Sequence, residues 1–185
     1  EDSASNPNII LLDIQNSQKE EVKAVIENNK LQVLDNIPII TMRVHSINGE
    51  SANSIREDTN STRNKWIVNH EFRTTYRDSL IASEVILEGK WPLTQKANGP
   101  IPISISDNLA NTGEVAVGDA IVFNVQGVLM NTVVGSIRTV DWQRMQLNFS
   151  VLFPAGILEN APQFSVITTS VSDEISAANL QQQLV

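Results

Sequence analysis

Between Val117 and Leu158 the chain reads VGDAIVFNVQGVLMNTVVGSIRTVDWQRMQLNFSVLFPAGIL, and this run constrains the fold more than any other. Two runs rich in β-branched residues, Ala120 to Val125 and Val128 to Arg138, flank Gln126-Gly127. Glycine there supplies the positive φ of a tight hairpin turn, so the segment is committed to antiparallel sheet. Gly118 and Gly135 are expected at turn or bulge positions. After Trp142 the pattern changes to a strand over Asn148 to Phe153, a turn or short helix opened by Pro154, and a strand over Gln163 to Val171. A last helix begins at Ser172, with Asp173 and Glu174 near its positive end. It stops without a cap, and the polar start EDSASNPN runs straight into an apolar strand; ends like these suit a piece of a longer protein.

The other end of the chain is mixed in style. Asn8 to Ile14 has strand length and apolar character, and Ser17-Gln18-Lys19-Glu20 has the spacing of a capping box. The helix it would start places Val22, Val25 and Ile26 on one face and ends near Asn28-Asn29. In Ile40 to Ser46, Ile40, Met42 and Val44 alternate with Thr41, Arg43 and His45, the period of a strand with one buried face, so His45 points outward. Ile47 to Asn64 reads as a polar surface excursion containing Asn48-Gly49. Trp66 to Tyr76 is mixed, Val85 to Leu87 is a strand, and Pro92 with Asn98-Gly99-Pro100-Ile101-Pro102 frames a loop. The expected class is α+β. Residues 1–47 and 146–185 form a discontinuous α/β layer, and 48–145 are a β-rich insertion.

A hydrophobic fraction of 41% in 185 residues is enough for a core without staples. The formal net charge of -8 argues against a nucleic-acid groove, which needs concentrated basic surface. With no cysteine, disulfides, thiolate metal sites and cysteine nucleophiles are excluded together. The longest apolar runs fall far short of the roughly 20 residues that cross a bilayer.

Motifs of reaction chemistry are weak. His45 and His70 lie in unrelated elements and are too few for a histidine-based zinc site. His70-Glu71 with Asp78 and a serine could be arranged into a hydrolytic triad, but there is no G-x-S-x-G elbow, and exposed polar residues are the simpler reading. Glu20-Glu21, Glu57-Asp58 and Asp173-Glu174 are adjacent pairs, which on a helix do not face one another. Gly113 to Gly118 lacks the Lys-Ser/Thr of a phosphate-binding loop. No cofactor or metal is expected. The polar residues Arg138, Asp141 and Asn148 interleave with Trp142, Phe149, Leu152 and Phe153. Arg138, Asp141, Trp142, Asn148 and Phe149 therefore mark either a junction between subdomains or a surface for a partner, with the structural role favoured.

Three motifs stand in order: Gly118-Asp119 before the hairpin, Ser136-Ile137-Arg138-Thr139-Val140-Asp141-Trp142, and Asn148-Phe149-Ser150-Val151-Leu152-Phe153-Pro154-Ala155-Gly156-Ile157-Leu158. Together they resemble the extracytoplasmic region of ABC-transporter permeases of the FtsX/MacB/LolC type, most closely the large YbbP-like permeases. Weaker resemblance runs upstream through Glu71-Phe72, Tyr76-Arg77-Asp78, Gly89-Lys90-Trp91 and the opening strand and helix, and so covers most of the chain. Asn111-Thr112-Gly113-Glu114-Val115 departs from the more apolar Leu-Gly step usual there. The resemblance implies a porter-like α/β layer interrupted by a sabre-like β layer, and membrane helices elsewhere in a parent protein of the bacterial inner membrane. The domain would sit on the periplasmic, extracytoplasmic face. It also implies a cytoplasmic ATPase subunit that does the catalysis, a second permease module, and a cargo or accessory protein. The domain itself would not be an enzyme. Two alternatives remain: a secreted hydrolase using His70 and nearby carboxylates, and a free-standing adhesion or scaffold domain.

Overall fold

The computed structural model describes residues 8–60, 63–141, 147–171 and 174–184. The chain is sheet-rich and forms two compact units, residues 1–39 with 163–185, and residues 40–162. From sequence the divisions were placed at 47/48 and 145/146; in the structure they fall at 39/40 and 162/163.

In the first unit, β1 (Ile9–Gln15), β10 (Phe164–Thr169) and the first half of β2 (Val33–Ile47) make an antiparallel sheet with β10 in the middle. Asp13, at φ 54, makes an irregularity in β1. Helices α1 (Lys19–Asn28) and α5 (Glu174–Leu184) supply Ile26 and Leu180 to a core with Ile14, Ile167 and Val171, and Val22 and Val25 pack on it as their spacing predicts. The capping box does not form. Residues 16–18 turn tightly, with the Gln18 amide donating to the Gln15 carbonyl at 2.9 Å, so Gln18 becomes the N-cap; its side chain caps no helix amide and instead accepts from the Gln15 amide at 3.3 Å. Ser172 and Asp173, the expected start of the last helix, lie outside the described residues.

The second unit is built on a ring of six strands. Its members are the second half of β2, β4 (Phe72–Tyr76), β9 (Val151–Phe153), β6 (Ile101–Ser106), β8 (Val128–Val140) and β7 (Ala120–Val125), and β7 returns to β2. Closing the ring leaves no edge within it. Ile40, Met42 and Val44 are buried as the alternation predicts; a register shift between Val44 and Ser46 then brings Ile47 inward. Phe72, Phe123 and Phe153 meet edge to face, their centroids 6.3 and 6.2 Å apart in succession, the arrangement that ring quadrupoles favour.

The β7–β8 hairpin turns at Gln126 and Gly127, both with positive φ. Gly135 is a bulge: β6 pairs Ile103 with Val134 and then Ser104 with Ser136. Two expectations are corrected. The excursion after Ile47 contains β3 (Glu50–Ser51) and α2 (Ala52–Glu57), where Ser51 caps the Ser54 amide at 3.1 Å and Ala52 and Ile55 are buried. The Pro100-Ile101-Pro102 loop gives way to β6, buried along its whole length. Proline is tolerated there because β9 pairs only with Ser104 and Ile105, so the missing N–H of Pro102 faces no partner strand. After β6, α4 (Asp107–Gly113) is capped by Ser106 and ends with Glu114 in the left-handed region. Short α3 (Trp66–Asn69) buries Ile67 and Val68, and β5 (Glu84–Gly89) pairs with the far end of β8.

Candidate functional site

Along β8, every second residue from Thr132 to Val140 is buried. That phase forces Arg138 inward beside Val134 and Val140, and its side chain is fully buried. A guanidinium taken out of water needs a counter-charge and acceptors for its donors. The counter-charge is Glu84, the first residue of β5, which accepts from Arg138 Nε at 3.1 Å. Nη1 donates to Ser104 Oγ at 3.2 Å, and Nη2 to the Phe149 carbonyl. Ser136 Oγ donates to the same Ser104 hydroxyl at 2.8 Å.

Glu84 also accepts from Arg77 Nη2 at 2.8 Å and from the Ile81 amide at 3.2 Å. Burial pushes its carboxyl up, but the Arg77 hydrogen bond and the charges of Arg138 and Arg77 outweigh this, so the group is held below the ordinary 4.5. Burial draws the Arg138 guanidinium below its ordinary value against the opposing pull of Glu84; a guanidinium starting so high stays charged.

One layer outward, Ser83 ties together two residues distant in sequence. Its carbonyl accepts from the Asp141 amide at 2.8 Å, its hydroxyl donates to Asn148 Oδ1 at 2.8 Å, and Asn148 Nδ2 donates to the Asp141 carbonyl at 3.2 Å. The structure thus brings together four of the five residues singled out from sequence: Arg138, Asp141 and Asn148 through hydrogen bonds, and Phe149 through its carbonyl. Trp142 lies outside the described residues. Sequence reasoning missed Glu84, Ser83 and Ser104, and named Arg77 and Ser136 only as parts of motifs without placing them in this cluster. The signal for Glu84 was available, because an arginine in phase with buried valines requires a buried carboxylate somewhere. These groups make a fully partnered polar knot, not a proton-transfer or nucleophilic pair.

The upstream motifs have structural roles as well. Arg77 supplies the second cation on Glu84, and Asp78 Oδ1 accepts from the Ala155 amide at 2.9 Å. The Gly118 amide donates to the Val134 carbonyl at 2.8 Å, while Asp119 accepts from the Ala116 amide at 2.8 Å and receives the Val134 amide on its carbonyl at 2.9 Å. This staples the turn before β7 onto β8. Gly89, at φ +76, lies so close to Gly135 that a Cβ would strike the Gly135 carbonyl oxygen.

His45 is exposed. His70 stacks on Trp66 with centroids 4.4 Å apart and meets the Phe72 edge at 4.9 Å. Among the described residues no carboxylate or hydroxyl hydrogen-bonds its ring, and no group of three or more His, Asp or Glu is placed to hold a metal ion. No helix among them is long and apolar enough to cross a membrane.

No family model matches the chain. A solved domain ascribed to a permease protein of Porphyromonas gingivalis aligns with 93% of this chain and 75% of its own, at 11% identity and a TM-score of 0.39, too loose to support a conclusion. Over 158 residues, 85% of its length, the chain is 27% identical to YbbP of Escherichia coli (strain K12), described as an uncharacterized ABC transporter permease. It spans 18% of that protein, so its sequence likeness is to a domain-sized segment of an ABC-transporter permease.

Proposed function

We propose that this chain is a non-catalytic extracytoplasmic domain of an ABC-transporter permease of the FtsX/MacB/LolC type. The observation that carries the reading is the likeness to YbbP along 85% of the chain. The unit of residues 1–39 and 163–185 is the porter-like layer and the barrel unit is the sabre-like layer. ATP hydrolysis by a cytoplasmic ATPase subunit moves the membrane helices of the parent protein, and the domain passes that movement on to cargo or an accessory protein on the periplasmic side, opposite a second permease module. For such switching, cargo or partner must bind the two arrangements with different free energies.

The test is the full reading frame together with reporter fusions on either side of the domain. Apolar runs of about 20 residues before Glu1 and after Val185, with a reporter active only outside the inner membrane, support the proposal. A cleavable leader before Glu1 with no later span overturns it and returns the secreted hydrolase and the adhesion domain to the front.

A further inference from the structure

Strand β5 stands outside the six-strand ring. Among the described strands it pairs with β8 alone, through Ser136 to Val140, whereas the ring closes through β6 and β7. Of the six β5 residues only Glu84 is buried; Val85 is 61% and Leu87 55% exposed. An added strand with so little buried apolar surface gains little from the hydrophobic effect, which places it at the low-stability end of a fold. Its attachment is polar instead. One end is held by Glu84 between Arg77 and Arg138, and the other by the close backbone approach of Gly89 to Gly135, with the Lys90 amide on the Gly135 carbonyl at 3.4 Å.

We propose that residues 79–89 form a displaceable strap, latched at Glu84 and anchored at Gly89, which opens as one unit while the barrel stays closed. Opening bares the Ser136 to Val140 edge of β8. It also removes Ser83 from Asp141 and Asn148, so both lose the hydrogen bonds that Ser83 makes to them. The conclusion rests on strand pairing and burial and holds whether or not the chain belongs to a transporter.

Native-state hydrogen exchange on the 185-residue chain, followed by mass spectrometry at neutral pH with sub-denaturing urea, tests it. The expected result is that β5 amides bonded to β8 exchange by a local opening insensitive to urea, while those of β6 and β7 exchange only with global unfolding. Glu84→Gln removes the latch charge and should speed exchange in 79–89 by about tenfold or more, equivalent to about 1.4 kcal/mol of local stability, while the globally exchanging amides of β6 and β7 speed up by no more than the same factor and remain the slowest. Val85→Cys with Thr139→Cys joins a registered pair in a chain without other cysteines, and the oxidised form should lose the fast phase. Wild-type β5 protected as strongly as β6 and β7, or a Glu84→Gln chain whose exchange in 79–89 is unchanged, overturns the proposal. The wild-type measurement decides even if the variant fails to fold.

Discussion

Replacing Arg138 by methionine keeps an unbranched apolar stem of similar reach and removes every donor of the guanidinium. Its three partners fare differently. Ser104 retains the Ser136 hydroxyl, and Glu84 retains Arg77 and the Ile81 amide, while the buried Phe149 carbonyl loses its Arg138 donor. Deleting one member of a buried ion pair costs about 3–5 kcal/mol when the remaining charge is uncompensated. An unsatisfied buried carbonyl costs about 1–3 kcal/mol. Because Arg77 still neutralises Glu84, the expected loss is about 3 kcal/mol, at the low end of the first range. For a chain of this size that lowers Tm by about 6–12 °C. Thermal and urea unfolding followed by circular dichroism measure it, with the urea midpoint falling at constant m. Adding Glu84→Leu to Arg138→Met removes the other half of the pair but also the acceptor of Arg77 and of the Ile81 amide, so the double variant should lose less than the sum of the two single losses. A Tm within about 2 °C of wild type for Arg138→Met would refute the structural reading of the knot and point instead to a partner-facing role.

Acid should weaken the same knot. The folded Glu84 pKa lies below its unfolded value, so its contribution is complete above about 4.5 and is lost as pH falls through the folded value; Tm measured from pH 7 to pH 3 should drop at the acid end, and by less in Glu84→Gln. Ala at Gly89 combines a positive φ with a backbone collision and should cost about 2 kcal/mol or more. Ala at Gly127, where φ is +99 but nothing lies within 4 Å, should cost only about 1 kcal/mol, a difference that urea midpoints resolve. A double-mutant cycle with Trp66→Ala and His70→Ala should give about 0.5–1.5 kcal/mol of coupling from the stacked rings; a coupling of zero would mean that the stack contributes nothing beyond burial.

What was legible in the sequence followed periodicity and glycine. The β7–β8 hairpin, the Gly135 bulge and the buried phase of Ile40, Met42 and Val44 could all be read from spacing, because each is local. Strand β6 was hidden by Pro102, since a proline inside an apolar run is normally evidence against a strand; only the shortness of β9 makes it tolerable, and that is a fact of the sheet. Helix α2 was hidden because Ala52 and Ile55 supply just two apolar positions among polar neighbours. At the candidate site, Arg138 and Asn148 stood out as polar residues among aromatics. Their partners did not, because Glu84 and Ser104 are 54 and 34 residues away from Arg138, and no local pattern couples such positions.

The residues that carry the resemblance are mostly consumed in building the barrel unit. Gly118 and Asp119 staple a turn to β8, Ser136 and Arg138 fill its interior, Asn148 and Phe149 close on Ser83 and Arg138, and Asp78 fastens the turn after β9. Groups so thoroughly partnered meet a ligand only after their own hydrogen bonds are broken. A chain that keeps them keeps this architecture, whatever it handles. Positions free to vary at little cost to stability lie elsewhere, such as the exposed Val128 and Leu129 beside the hairpin turn, where substitutions change the surface and leave the knot intact.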